Sequence, residues 1–261
     1  MADFGAHPER RPALIAGASS GIGAASAEAL AAGRFPVALG SRRLDACRQL
    51  ASKINSEGGE AVAAELDVSD DASVQAFVKA AADALGPPEV LVCSAGDIEV
   101  GATHELDPTA FDSQVQVHLL GVHRLVARVA PGMVERQRGD IVLVSSDVVR
   151  VPRPLMGAYV TAKHGIEGMA RAMQMELEGT GVRVGLVRPG PTLTGMGSTW
   201  DPQTLTSVLD EWSRWGLTRH WHLLRPADVA AAVTAMVTTP RGAHLTLIEL
   251  EPEAPVKEAG T

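Results

Sequence analysis

Short apolar runs alternate along the chain with stretches whose apolar positions recur at helical spacing. Residues 13–16, 35–40, 61–66, 90–94, 140–145 and 182–187 read as strands, and a last strand is expected at about 244–249. Helices are expected over 22–32, 43–57, 72–85, 108–129 and about 156–178. The strands carry apolar residues at consecutive positions, so both of their faces are buried. Strands of this kind alternating with helices define a parallel sheet covered on both sides. The expected architecture is a single three-layer α/β domain built on a doubly wound parallel sheet. It covers residues 11–252, between a loose arm at 1–10 and a loose tail at 253–261. The segment at about 192–225 breaks the alternation. It is polar and irregular and holds all four tryptophans, Trp200, Trp212, Trp215 and Trp221. An insertion after a strand's carboxyl end is where a substrate lid lies in such folds, so a helical substrate lid is expected, and an oligomer contact or a surface helix pair is the other reading.

Composition narrows the function classes. Hydrophobic residues make up 46% of the 261, enough for a large core, and aromatics only 3%, so that core is mainly Ala, Val, Leu and Ile. A net charge of -8 argues against a nucleic-acid surface. No apolar run approaches the ~20 residues that span a bilayer, so no membrane insertion is expected. The first twelve residues lack a signal-peptide core. Cys47 and Cys93 are the only cysteines and have neither metal spacing nor a disulfide pattern. A reduced, cytoplasmic setting without a metal is expected.

The only tyrosine, Tyr159, stands four residues before Lys163, one of four lysines. On a helix the two share a face. A free tyrosine has a pKa near ~10, and a neighbouring ammonium is expected to lower it, making the phenol a usable acid and base. A half-buried tyrosine beside a solvated lysine is the alternative. After the first strand comes Gly17-Ala18-Ser19-Ser20-Gly21-Ile22-Gly23. Glycines there let the backbone turn tightly and meet a pyrophosphate at a helix N-terminus. About ~20 residues on, where an acid would bind a ribose hydroxyl, the chain reads Ser41-Arg42-Arg43. Arg42, with Arg43 as second candidate, suits a 2′-phosphate, so NADP(H) is favoured over NAD(H). Two solvated arginines opening a helix would look the same. Asp67-Val68 follows the third strand, where the carboxylate can meet an adenine amino group or cap the next helix. Ser94-Ala95-Gly96 ends the fourth strand with small residues where a ribose would pass.

These residues together resemble the short-chain dehydrogenase/reductase family, in its compact single-domain branch with a Rossmann-type sheet. The resemblance covers roughly residues 12–251. It rests on Gly17, Gly21 and Gly23, Asp67, Ala95-Gly96, Ser146, Tyr159-x-x-x-Lys163 and Pro189-Gly190 with Thr194. It implies that Tyr159 donates or accepts the proton. Lys163 would hold the nicotinamide ribose and tune the phenol, and Ser146 would bind the substrate oxygen. The segment Pro189, Gly190, Thr192 and Thr194 would cover the nicotinamide and phosphates. It also implies a homo-oligomer, dimer or tetramer, paired through two helices. The chain departs from the family pattern at several places. Ala16 stands where Thr is usual, and Cys93-Ser94 where two asparagines brace the sheet, which would hold the cofactor less rigidly. His118 occupies the place of the family's catalytic asparagine. Its ring can make a polar contact, titrate near neutral pH or distort the helix. The last strand lacks the family's frequent glycine pair.

The resulting expectation is an oxidoreductase passing hydride between a nicotinamide and a carbonyl or secondary alcohol, with a small, apolar substrate and no arginine placed for a carboxylate. The alternative is a regulatory or scaffold protein that binds the nucleotide with weakened catalysis.

Overall fold

A computed structural model describes residues 5–197 and 200–256. Strands β1 (Ala13–Ala16), β2 (Val37–Ser41), β3 (Ala61–Glu65), β4 (Val90–Cys93), β5 (Gly139–Val144), β6 (Val182–Pro189) and β7 (Leu247–Leu250) form one sheet in the order β3-β2-β1-β4-β5-β6-β7. Every pairing is parallel. β1 and β4 pair with Ala16 opposite Cys93, and this centre of the sheet is fully buried. The doubly wound Rossmann-type sheet of the sequence reading is therefore present. Of the arm expected at 1–10 and the tail expected at 253–261, residues 1–4 and 257–261 lie outside the described residues.

One face is covered by α1 (Gly21–Ala32), α2 (Leu44–Ser56) and α8 (Pro226–Thr238), whose Leu30, Ile54, Val233 and Met236 share a core with Ile15, Leu39 and Val92. The other is covered by α3 (Asp71–Leu85), α5 (Gly121–Glu135) and α6 (Gly157–Glu176), with Phe77, Leu125, Met133 and Ile166 packed on Leu14, Leu91 and Ile141. Alternate strand residues feed the two cores, as the two-residue period of a strand requires. α3 begins where the Asp70 carboxylate accepts the amides of Ala72 and Ser73, at 3.1 and 3.3 Å.

Two stretches differ from the sequence expectation. The helix expected over 108–129 is α4 (Pro108–Val115), a π turn at Gln116–Leu120 and then α5, running on to Glu135. The wide turn carries His118. α8 is not anticipated by the periodicity, because its Ala and Val residues are apolar nearly all round and leave no polar stripe. The segment at 192–225, expected to be helical in part, does hold a helix. It contains α7 (Pro202–Arg214), begun by an Asp201 carboxylate that accepts from Gln203 and Thr204.

A buried ion cluster ties the ends of this architecture. Asp140 on β5 accepts from Arg11, just before β1, and from Arg183 on β6 at 2.6 Å, with all three side chains largely withdrawn from water. Removing one partner of a buried pair leaves uncompensated charge, which typically destabilises by about 3–5 kcal/mol. Asp140→Asn is therefore expected to lower the urea midpoint strongly while leaving the fold of the remainder intact. A loss under about 1 kcal/mol would show that the cluster is not an anchor.

Candidate active site

The carboxyl ends of β1, β2, β4, β5 and β6 converge on one edge of the sheet, and the candidate residues lie there. The β1–α1 turn is held tight against β4. Gly17 has φ +87, and a Cβ at that position would lie 2.7 Å from the Ala95 backbone. Gly23 fits only without a side chain, since a Cβ would run into the Gly17 carbonyl. Ser94 Oγ donates to the Ala16 carbonyl at 2.8 Å. The Cys93-Ser94 departure therefore keeps one bond bracing β4 to β1, against the expectation that such bracing is lost. α1 opens with no side-chain cap at Ser20, no acidic residue in its first turn, and Ile22 packed inward. Its first amides are therefore open to an anion, and Arg43 stands beside them, so this end of the fold suits a dinucleotide phosphate.

At the end of β2, Arg43 donates to Ser19 Oγ from Nε and Nη2, at 3.2 and 2.9 Å, and to Ser20 Oγ at 2.6 Å. Ser41 Oγ also reaches Ser19 Oγ at 2.8 Å. Arg42 borders an open recess that Arg43, Asp45, Arg48 and Glu65 also line, and its charge helps to lower the Asp67 carboxyl. The sequence reading ranks Arg42 first, and the structure puts Arg43 at the glycine turn instead. Flanking arginines cannot be separated by periodicity when neither lies inside a regular element. Asp67 accepts from Ser69 through both the amide, at 2.9 Å, and the hydroxyl, at 2.6 Å, which holds its carboxyl below the usual range. Val68 is buried against Gly121, whose virtual Cβ would meet it at 2.8 Å. Helix capping at this point belongs to Asp70, not Asp67.

β5 delivers Ser145 and Ser146 to opposite sides. Ser145 Oγ donates to Glu167 at 2.8 Å, while Ser146 lies on the side of Tyr159 and donates to Asp147 at 3.1 Å. Tyr159 and Lys163 sit in the first turns of α6 and are both buried. Lys163 Nζ lies 5.3 Å from the Tyr159 ring centroid and donates to the Val144 carbonyl at 2.8 Å. The expected lowering of the phenol pKa is not found. Burial pushes Tyr159 up to about 12, a Ser146 hydrogen bond and Arg153 pull it down, and Asp147 pushes it up. Burial also lowers Lys163 to about 8. Cys93 lies close enough to Lys163 to feel its charge, yet burial holds the thiol at about 12 and protonated.

His118 is 1% exposed. Its Nε2 bonds the Asp97 carbonyl at 2.6 Å, its Nδ1 is buried without a partner, and its ring stands edge-on to Tyr159 at 5.0 Å between centroids. A Cβ on Gly96 (φ +154) would collide with the imidazole, so glycine is required for the ring to fit. Burial first, then the nearby Lys163 charge, pushes His118 down to about 3. The polar contact is thus present, and titration near neutral pH is not. The π turn carrying it is a departure from helix geometry of the kind found at functional sites.

Pro189 and Gly190 end β6, and Gly190 donates to the Leu250 carbonyl at 2.8 Å. Thr192 Oγ1 donates to the Gly190 carbonyl at 2.8 Å. Thr194 approaches the glycine turn, 3.3 Å from a virtual Cβ on Gly21. The sequence reading misses two groups near Tyr159. Arg153 forms a two-point ion pair with Asp147, and its guanidinium lies 5.5 Å from the Trp212 ring. Trp200 and Trp212 lie against the apolar cluster of Ile98, Val148, Met156 and Tyr159. Asp147 follows Ser146 directly, which is a usable signal. Arg153 sits in a loop, where no spacing rule points to it. Among the described residues no group of His, Cys, Asp or Glu side chains is arranged to hold a metal, and no helix is long and apolar enough to cross a membrane.

Known proteins resemble this chain in sequence and in fold. The family model for short chain dehydrogenases matches residues 11–204. A glycine betaine reductase (ATRR) of Emericella nidulans is 35% identical over 92% of the chain, although the chain spans only 18% of that protein. The 2,3-dihydro-2,3-dihydroxybenzoate dehydrogenase of Bacillus subtilis is 30% identical over 93% of the chain and 94% of its own length. An alcohol dehydrogenase from the archaeon Thermococcus sibiricus, solved with 5-hydroxy-NADP, superposes with a TM-score of 0.81 at 29% identity, over 96% of this chain and all of that one. The chain belongs to the short-chain dehydrogenase/reductase family and is an NAD(P)-dependent oxidoreductase.

The buried imidazole makes a prediction about stability. Unfolded, His118 binds a proton below its ordinary value of 6.5; folded, it does so only near 3. Between these values the unfolded chain holds more protons, so stability falls as the pH falls. His118→Asn is expected to flatten the fall in urea midpoint between neutral pH and about pH 5. An unchanged slope would show that the ring is protonated in the folded protein.

Proposed function

We propose that this enzyme uses NADP(H) to interconvert a carbonyl compound and a secondary alcohol. The observation that carries the reading is the meeting of Ser146, Tyr159 and Lys163, all buried, where the end of β5 lies under the first turns of α6. A bound nicotinamide would supply or accept the hydride. The residues that would hold the cofactor are Gly17, Gly21 and Gly23 at the pyrophosphate, and Arg43 with Ser19, Ser20 and Ser41 at the 2′-phosphate. Asp67 and Val68 would flank the adenine, and Ala95, Gly96, Pro189, Gly190, Thr192 and Thr194 the nicotinamide half. Support for the phosphate comes from the Arg43 guanidinium, which already sits on serine oxygens and can take two phosphate oxygens in the same way.

Ser146 orients the substrate oxygen with its hydroxyl, and Tyr159 passes the proton at its phenol oxygen. A phenol pushed up to about 12 is protonated at neutral pH, so it starts as an acid, suited to carbonyl reduction. Lys163 keeps N–H donors beyond the one on Val144 and can point one at the ribose. His118 keeps the Asp97 carbonyl and the Tyr159 ring in place without exchanging a proton itself. Ile98, Val148, Met156 and Trp200 offer the substrate an apolar wall. The same surface supports the lid reading of residues 192–225.

Tyr159→Phe is expected to reduce turnover by at least a thousandfold, measured with NADPH and a carbonyl panel, with NADPH affinity nearly unchanged. Substantial residual turnover would remove the phenol from the mechanism. Arg43→Ala is expected to weaken NADPH by about one to two decades and NADH little, while Arg42→Ala has the smaller effect. Equal losses for both cofactors would place the phosphate elsewhere.

A further inference from the structure

Between Ser146 and α6 lies a charged pair that the proposed chemistry does not use. Asp147 is in the short 3-10 turn Asp147–Val149, and Arg153 is in the loop that leads to Tyr159. Arg153 Nη1 donates to Asp147 Oδ1 at 2.8 Å and Nη2 donates to Oδ2. Each side chain is only 12% exposed, so water screens the pair weakly. Two neighbours make the pair more than a surface bridge. Ser146 Oγ donates to the same Oδ1, at 3.1 Å. Trp212 of α7 stands over the guanidinium at 5.5 Å and donates its indole N–H to the Pro154 carbonyl at 3.2 Å.

We propose that Arg153 is a positioning residue for the proton-transfer site: by occupying both oxygens of Asp147 it loosens the carboxylate's hold on the Ser146 hydroxyl, which lies 3.1 Å away, and cancels the carboxylate's field at Tyr159. This rests on the reading that Tyr159 moves the proton. A carboxylate offers about four lone-pair sites, and the arginine fork takes two of them along directed bonds. Without the fork, a nearly dry carboxylate would draw the Ser146 hydroxyl into a shorter, stronger bond than the present 3.1 Å contact and keep it from the substrate. The same uncompensated charge would oppose a phenolate at Tyr159, whereas removing the carboxylate alone would leave a cation that favours one.

The other charged groups around the phenol do not substitute for Arg153. On α6, Lys163 spends a donor on Val144. The π turn contributes His118, which is neutral. Past β7, Glu251 adds negative charge beside Asp147 and is itself approached by Arg219, at 3.5 Å, and Arg150, at 4.0 Å. Arg150 is otherwise paired with Glu249. Arg153 is thus the cation that pairs with Asp147 and whose charge also reaches Tyr159, and the Trp212 contact links its placement to the docking of α7.

The test compares wild type with Arg153→Leu, Asp147→Asn, the double variant and Arg153→Lys. Two readouts are taken: the pH dependence of kcat and KM for alcohol oxidation with NADP+, and the phenolate absorbance of the sole tyrosine in cofactor-free protein. Arg153→Leu is expected to lower kcat about tenfold and move its limb to higher pH by about one unit, with KM for NADP+ unchanged. Asp147→Asn should move both the limb and the phenolate absorbance to lower pH. The double variant should return to within a few tenths of a unit of wild type, and Arg153→Lys should recover part of kcat. The proposal is overturned if Arg153→Leu changes only the KM for substrate, or if Asp147→Asn leaves the phenolate absorbance unmoved. Should Arg153→Leu fail to fold, Asp147→Asn and the double variant decide in the same way. If wild type itself shows no turnover, the oxidoreductase mechanism fails, and the phenolate absorbance still decides the role of the pair.

Discussion

Tyr159 and Lys163 are withdrawn from water together in the first turns of α6, and withdrawal favours the uncharged form of each. The phenol rises to about 12 and the ammonium falls to about 8. Desolvation thus drives the two proton affinities apart from ordinary values of 10.0 and 10.5, and it leaves the phenol protonated at neutral pH, ready to act as an acid. Much of the surrounding structure serves that desolvation. His118 closes one side of the ring edge-on, Met156 and Val148 close another, and Trp200 and Trp212 pack against the same apolar cluster. The charged groups that remain nearby are paired, Asp147 with Arg153 and Glu251 with Arg219 and Arg150.

The sheet makes such a site possible because its strands all end on one edge. Parallel pairing brings Ala16, Cys93 and Leu143 into line across three strands, so the residues just beyond them face a common space. Close approach of β1 to β4 depends on Gly17, and the fit of His118 depends on Gly96. In each case backbone without a side chain is what lets two functional segments touch.

Much of this was legible in the sequence, for physical reasons. Strands buried on both faces announce themselves as unbroken apolar runs, and the glycine turn and Tyr159–Lys163 spacing are local features. What was not legible depended on three-dimensional placement. Arg42 and Arg43 are chemically alike, and only the exit of the chain from β2 puts Arg43 on Ser19 and Ser20. The lysine's spacing implied a lower phenol pKa, but spacing says nothing about how dry the phenol is. Arg153 lies in a loop, and its partners come from the neighbouring turn and from α7. α8 hid because its exposed face is largely alanine, at Ala227, Ala231 and Ala235, so no polar stripe marks its period.

The central claim is that burial, rather than Lys163, sets the proton affinity of the phenol before any ligand binds. Because the chain has a single tyrosine, alkaline titration of its phenolate absorbance reads that group directly. The account predicts a midpoint well above the ~10 of a free tyrosine, moved little by Lys163→Met. A midpoint at or below ~10 that rises on removal of the lysine would contradict it.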